Sequence, residues 1–180
     1  MSRLRPARRE QIPALQALIA RSGRALSAGF YTPEQTEAIV RDVFGVDTQL
    51  IDDGTYFVVE NDDGVIVACG GWSRRRTLFG GDQTKRGEDP PLDPATEPAR
   101  IRAFFVDPAH ARHGLARRLL AACNDAARIA GFRRLALVAT LPGEPFYRAA
   151  GFDIVERFEL DLDGVRVPVS RMMRAVEGEA

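Results

Sequence analysis

Apolar positions along the chain follow two rhythms. Helical spacing puts Ile12, Leu15, Leu18 and Ile19 on one face, with Pro13 tolerable only near the start of that helix. A second helix opens at Thr32-Pro33-Glu34-Gln35: a hydroxyl cap, a proline in the first turn and Gln35 three residues past the cap. It carries Ile39, Val40, Val43 and Phe44. Residues 115–130 form a longer helix whose stripe of Leu115, Leu119, Ala122, Cys123, Ala126 and Ala130 turns inward, leaving Arg117, Asn124, Asp125 and Arg128 outside. The second rhythm belongs to strands. Residues 4–6 make a short first strand, and after a short helix over 46–53 the chain turns at Asp52-Asp53-Gly54 into residues 55–60. Asn61-Asp62-Asp63-Gly64 signals a hairpin returning along 65–72, where Gly70-Gly71 points to a bulge or a close backbone approach.

Residues 101–106 form the central strand. The continuous apolar run 135–139 is expected to be buried on both faces and parallel to it across the intervening helix. A very short helix then runs through Tyr147 to Gly151, and a last hairpin joins 153–162 to 165–173 at Asp163-Gly164. Between the third and fourth strands, residues 74–99 break both rhythms with Arg74-Arg75-Arg76, Gly80-Gly81 and four prolines. A loop of that length inside a compact domain is usually functional or disordered. The arginine triplet reads either as a solvated strand end or as a grip on phosphate or an anionic acceptor.

Composition narrows the class. With 180 residues, 45% of them hydrophobic, the chain supports one domain, residues 1–180, with a real core. Basic and acidic residues both total 25, so no global field draws it to nucleic acid or an anionic membrane. Neither a bilayer-length apolar run nor the apolar core of a signal peptide is visible, and a cytoplasmic protein is expected. Cys69 and Cys123 have no metal or disulfide spacing and read as buried small hydrophobes. His110 and His113 read as solvated loop histidines, with phosphate contact by His113 as the alternative.

The chemistry concentrates at Phe104-Phe105-Val106-Asp107-Pro108 and the Ala111-Arg112-His113-Gly114-Leu115-Ala116-Arg117-Arg118 segment after it. A strand ends, a small-residue loop follows and a helix begins. The unpartnered N–H groups and positive end of that helix suit an anion such as a pyrophosphate. Gly114 and Ala116 let it approach, and Arg112, Arg117 and Arg118 can add charged donors. An ordinary helix start is the bland alternative.

This segment resembles the acyl-CoA pyrophosphate loop of the GNAT N-acetyltransferases, which follows a strand ending in Val-x-Pro. Val106-Asp107-Pro108 and Gly114-Leu115-Ala116 match, whereas Ala111 replaces the usual Gln or Arg. Phe146-Tyr147 and Gly151-Phe152 resemble the family's downstream Phe-Tyr-x-x-x-Gly-Phe segment. The resemblance implies a mixed α/β fold of about seven strands with the fourth and fifth splayed. It further implies acetyl-CoA as cosubstrate and no metal. Phe104, Phe105 and Val106 would align the pantetheine arm, the loop Ala111, Arg112, His113, Gly114, Leu115, Ala116 and Arg117 would take the pyrophosphate, and Tyr147 would act as general acid. Thr140 stands where many relatives carry an arm-binding Asn. Phe30, Tyr31 and Phe44 become candidate acceptor-pocket residues, Phe44 alternatively a core residue.

A phenol of pKa about 10 can protonate a thiolate whose conjugate acid lies near 8.5. The base is not identified: Glu60, Glu97 and Glu144 are candidates that equally suit ordinary surface roles. The expected acceptor is a small-molecule amine or a peptide or protein amino group. Fold analogy also raises a homodimer paired through the last strands. The rivals are a non-catalytic acyl-CoA-binding or sensory module of the same fold, and a nucleotide-binding protein using the Gly114 loop.

Overall fold

The computed structural model describes residues 1–178. Its elements are β1 (Arg3–Pro6), α1 (Ile12–Ser27), α2 (Pro33–Asp42), α3 (Thr48–Asp52), β2 (Tyr56–Glu60) and β3 (Ile66–Ser73). They continue with β4 (Ala99–Val106), α4 (Leu115–Ile129), β5 (Arg134–Thr140), α5 (Glu144–Ala149), β6 (Asp153–Leu162) and β7 (Val165–Ala175). The capping box at α2 forms as its sequence demands: the Gln35 N–H donates to the Thr32 hydroxyl, and the Thr32 N–H donates to the Gln35 side chain.

One seven-stranded mixed sheet has the order β1-β2-β3-β4-β5-β7-β6. Only β4 and β5 run parallel. Side chains alternate across the sheet, so neighbouring residues enter different cores. Val58, Cys69 and Phe105 pack with Leu15, Leu18 and Ile19 of α1, while Val59 and Ala68 meet Leu119 of α4 on the other face. α4 and α5 share a further cluster, with Leu120, Cys123 and Tyr147 against Ile101, Leu135, Leu137 and Phe152. Burial pushes the Cys69 thiol up to about 12 and the Cys123 thiol higher, so both behave as small core hydrophobes.

Two departures from regular pairing shape the sheet. β4 holds β5 only at Ala99–Leu135 and Arg100–Ala136, and beyond Arg100 the two strands part. Against β3 the pairing slips between Cys69–Phe105 and Gly71–Arg102, so β4 carries one extra residue. Ala103 sits there with φ of 52°, a left-handed conformation that costs a non-glycine residue about 1–2 kcal/mol. The Tyr56 hydroxyl, at the end of a fully buried side chain, donates to the Ala103 carbonyl at 2.9 Å. The extra residue also changes which way the strand faces. It lets Arg102 and Phe105, three positions apart, both project away from α4.

The segment 74–99 is less structureless than its composition suggests. Arg75 reaches back to Asp53 and to the Asp89 carbonyl, and Arg76 pairs with Glu97. Arg74 lies over the Trp72 ring, 5.4 Å from its centroid. The triplet therefore holds the segment down. From β4, the buried Arg102 guanidinium donates to Asp47 at 3.0 Å, to the Gly80 carbonyl at 2.5 Å and to the Thr77 carbonyl at 3.2 Å. Lys85 reaches the same Asp47 at 2.7 Å. Among the described residues, no helix is long and apolar enough to cross a membrane.

Candidate functional site

Where β4 and β5 part, they open a cleft of about 910 Å³, its open mouth included. Its floor is Ile101 to Phe105 of β4 and Leu137 to Thr140 of β5. Leu26 and Ser27 of α1, Ile39 of α2, and Val43 and Phe44 just past it form one wall, and Leu78, Phe79 and Gly80 close another. Leu160 of β6 and Val169 of β7 contribute the far side. The long segment thus supplies part of the wall through the carbonyls that Arg102 grips.

Gly70 makes the floor shape attainable. A side chain there would run into the Phe104 ring, which lies over that bare backbone. The paired glycines of the sequence mark both the slip in pairing and the close approach. The Phe104 ring in turn tilts toward Tyr147, with centroids 6.2 Å apart. Phe44 closes the opposite side against Phe105, edge to face at 4.9 Å, so it serves core and cleft together.

Tyr147, on α5, also lines the cleft. Its ring is wedged edge-on between Phe146 at 5.0 Å and Phe152 at 5.6 Å. Among the described residues its hydroxyl has no hydrogen-bond partner, although the residue is 9% exposed. Burial pushes the phenol above its ordinary range, so it remains protonated at any physiological pH. Such a hydroxyl can give a proton to a base held beside it in the cleft.

At the other end of β4 the chain turns through Asp107-Pro108. The Asp107 carboxylate accepts from Arg21 of α1 at 2.6 Å, which holds its pKa below the usual carboxylate range. The loop then runs through Ala111, Arg112, His113 and Gly114 into α4. Arg112 and Gly114 both have left-handed backbones, with φ of 64° and 76°. The first amide of α4 to find a carbonyl is Arg118, on Gly114 at 3.0 Å. Among the described residues, the six N–H groups from Arg112 to Arg117 therefore hydrogen-bond nothing. Alternating backbone handedness ahead of an uncapped helix start makes a concave set of donors for an anion. Arg112 and Arg117 are exposed beside it, whereas Arg118 is tied to the Ser2 carbonyl and hydroxyl at 2.9 and 2.8 Å. The His113 ring folds back onto the His110 carbonyl at 3.2 Å. Val106, Leu115 and Ala116 are half-buried beneath this rim, and Thr140 ends β5 with its carbonyl accepting from Gly143 at 3.1 Å.

The three carboxylate candidates for a base are all engaged. Glu60 is paired with Arg5 and Glu97 with Arg76. Glu144 receives both ends of the Arg157 fork, at 2.8 and 3.0 Å, and the Ser170 hydroxyl at 2.9 Å. Burial opposes its ionisation, but these donors prevail and hold its pKa below the usual range. Tyr31 is likewise occupied: its hydroxyl donates to the Pro168 carbonyl at 2.6 Å, accepts from the Leu141 N–H at 2.9 Å, and burial pushes it up to about 12. Phe30 is exposed in the turn after α1.

Sequence reasoning missed Arg102, Asp47 and Tyr56. The arginine sits at a strand position that alternation alone would not single out, and its partner is 55 residues away. The wall formed by Leu78 and Phe79 carried only the composition break of its segment as a signal.

Comparison with known proteins places this geometry. The family model described as the acetyltransferase (GNAT) family matches residues 21–152. No curated protein matches the sequence. Among solved structures, a GCN5-related N-acetyltransferase from Rhodopseudomonas palustris is similar at a TM-score of 0.71 and 20% identity, with 97% of this chain and 96% of that one covered. The PaiA N-acetyltransferase from Thermoplasma acidophilum, solved in complex with coenzyme A, gives 0.63 at 13% identity over 97% and 99% of the two chains. The YncA protein from Salmonella typhimurium, solved with its cofactor acetyl-CoA, gives 0.62 at 17% identity over 100% and 96%.

Proposed function

The chain belongs to the acetyltransferase (GNAT) family, and on that premise we propose that it transfers the acetyl group of acetyl-CoA directly to a primary amine. The observation that carries this reading is the fork between β4 and β5, with Tyr147 in its lining and six unpaired amides at its rim.

The residues present fit an acyl-CoA. Six amide donors with Arg112 and Arg117 beside them suit the doubly charged pyrophosphate, and Ala111 leaves that contact to the backbone and those two arginines. Beyond Arg100 the edge of β4 facing β5 has lost its strand partner. Phe104, Phe105 and Val106 there offer main-chain groups to an extended amide-containing arm, with Thr140 across the fork. When bound, acetyl-CoA supplies an acyl group activated as a thioester. A β4 backbone N–H polarises its carbonyl oxygen. Tyr147 holds a proton at its phenol oxygen for delivery to the departing sulfur. We place this reaction in the cytoplasm, where two free buried thiols remain reduced.

Tyr147→Phe tests the assignment. The ring contacts survive and no protein hydrogen bond is lost, so folding and acetyl-CoA affinity are expected to hold. Thiol release should fall by about 100-fold or more, the usual contribution of a positioned proton donor. Undiminished turnover would remove Tyr147 from the mechanism. Acetyl-CoA binding with no turnover in the parent protein, across a panel of amines, would favour a non-catalytic acyl-CoA-binding module.

A further inference from the structure

The acceptor end of the cleft has a chemical character of its own. Six apolar side chains, Leu26, Ile39, Val43, Phe44, Phe79 and Leu160, line it, and among the described residues no carboxylate does. The charged group that reaches its lining is Arg102, whose guanidinium is already shared among Asp47 and two carbonyls. Tyr147 is the titratable group beside it. Of the carboxylates on the surrounding elements, Glu37 pairs with Arg24, Asp42 with Arg41, Asp47 with Arg102 and Lys85, and Glu144 with Arg157 and Ser170, while Asp161 and Asp163 line a separate outer groove that shares Val43, Phe79 and Leu160 with the cleft.

An ammonium ion entering such a place would shed its hydration and gain no counter-charge. A neutral amine loses little. At pH 7 roughly one α-amine in seven is already neutral, against about one lysine-type amine in 2,500, because their ordinary pKa values are about 7.8 and 10.4. From this lining we infer that the acceptor is a small, weakly basic primary amine on an apolar body, and that lysine-type amines and polyamines are poor substrates. The inference rests on the acetyltransferase reading and names its substrate class.

It also accounts for the engaged carboxylates. The acceptor leaves its ammonium proton in bulk water before entry. Its nitrogen then forms the C–N bond as the thioester C–S bond breaks. The leaving sulfur takes the Tyr147 proton, and the phenolate recovers one from the newly acylated nitrogen. No further base is consumed. Leu78, Phe79 and Gly80 wall the cleft on the side of the long segment, which favours a compact acceptor over a polypeptide.

The test compares phenylalaninamide, Nα-acetyl-lysinamide and spermidine by thiol release at pH 7 with saturating acetyl-CoA, alongside a calorimetric titration with acetyl-CoA. The expected result is a kcat/KM for phenylalaninamide at least about ten-fold above both others, part of the several-hundred-fold advantage in neutral fraction being offset by weaker nucleophilicity. Equal or faster turnover of spermidine or the lysine derivative would overturn the inference, as would failure to acetylate phenylalaninamide by a protein that binds acetyl-CoA. Failure to bind acetyl-CoA would instead overturn the acetyltransferase reading and the inference together. Leu160→Glu, at a half-buried strand position, supplies the independent check. The parent protein should bind N-acetylphenylalaninamide calorimetrically, and the variant should lose that binding and raise spermidine turnover relative to phenylalaninamide. An unchanged preference, with that binding retained, would show that the acceptor sits elsewhere.

Discussion

Arg102→Met is the most informative single perturbation of this fold, because one side chain joins the sheet to the segment that walls the cleft. The guanidinium is buried, and its donors reach Asp47 and the carbonyls of Thr77 and Gly80. Methionine fills much of the same space but supplies no donor. Removing one partner of a buried ion pair costs about 3–5 kcal/mol, since the other charge is stranded. Here Asp47 keeps Lys85 at 2.7 Å and still accepts from the Gln49 N–H at 3.0 Å, which puts the expected loss near the lower end, about 3 kcal/mol. For a chain of this size that corresponds to a melting temperature lower by about 6–12 °C. Urea unfolding at constant m-value and a thermal melt measure it. The second consequence is functional: with Gly80 released, Leu78 and Phe79 lose their anchor, so the KM for the amine should rise several-fold while acetyl-CoA affinity holds. Arg102→Lys should recover part of the stability, because one ammonium cannot span all three acceptors. A loss below about 1 kcal/mol would refute the claim that this network fixes the segment.

Two further predictions follow from neighbouring geometry. Tyr56→Phe removes the hydroxyl that holds the Ala103 carbonyl, a half-buried acceptor, at a cost of about 1 kcal/mol; with the bulge loosened, kcat should fall more than acetyl-CoA affinity, and an equal fall in both would assign Tyr56 a purely structural part. Glu144 has a folded pKa below its ordinary value near 4.5, so its stabilising contribution is complete above that value and is lost as pH falls through the lower folded one. Urea titrations between pH 3 and pH 7, as an approximate range for this linkage, should show Glu144→Gln to be less stable at neutral pH with a shallower acid decline; an unchanged acid decline would contradict the pairing with Arg157 and Ser170.

Much of this architecture was legible in local sequence because local rules govern it. Thr32-Pro33-Glu34-Gln35 set the start of α2, Asn61 to Gly64 set a hairpin, and the continuous apolar run of β5 announced a strand with both faces covered. The order of strand, loop and helix around Gly114 could be read for the same reason: left-handed backbone and free amides follow from a few adjacent residues. The features that make the cleft are not local. The extra residue at Ala103 leaves no mark in β4 itself, and only Gly70-Gly71 on the neighbouring strand betrays it. The union of Arg102 with Asp47, and the folding of Leu78 and Phe79 into the wall, depend on partners tens of residues away. Glu60, Glu97 and Glu144 looked free in sequence because an ion pair with a distant arginine has no periodicity to reveal it.

We propose that the loop ending at Gly114 holds acetyl-CoA through bare backbone amides. A calorimetric titration of the parent protein and of Gly114→Val tests it most directly. A Cβ at Gly114 would meet nothing within 4 Å, so the variant faces no packing clash; its penalty is the left-handed backbone at φ of 76° and a branched side chain beside the donors. Micromolar binding of acetyl-CoA to the parent and its loss in the variant, with circular dichroism unchanged, are the expected result. Absence of binding in the parent, or equal binding in both, would contradict it.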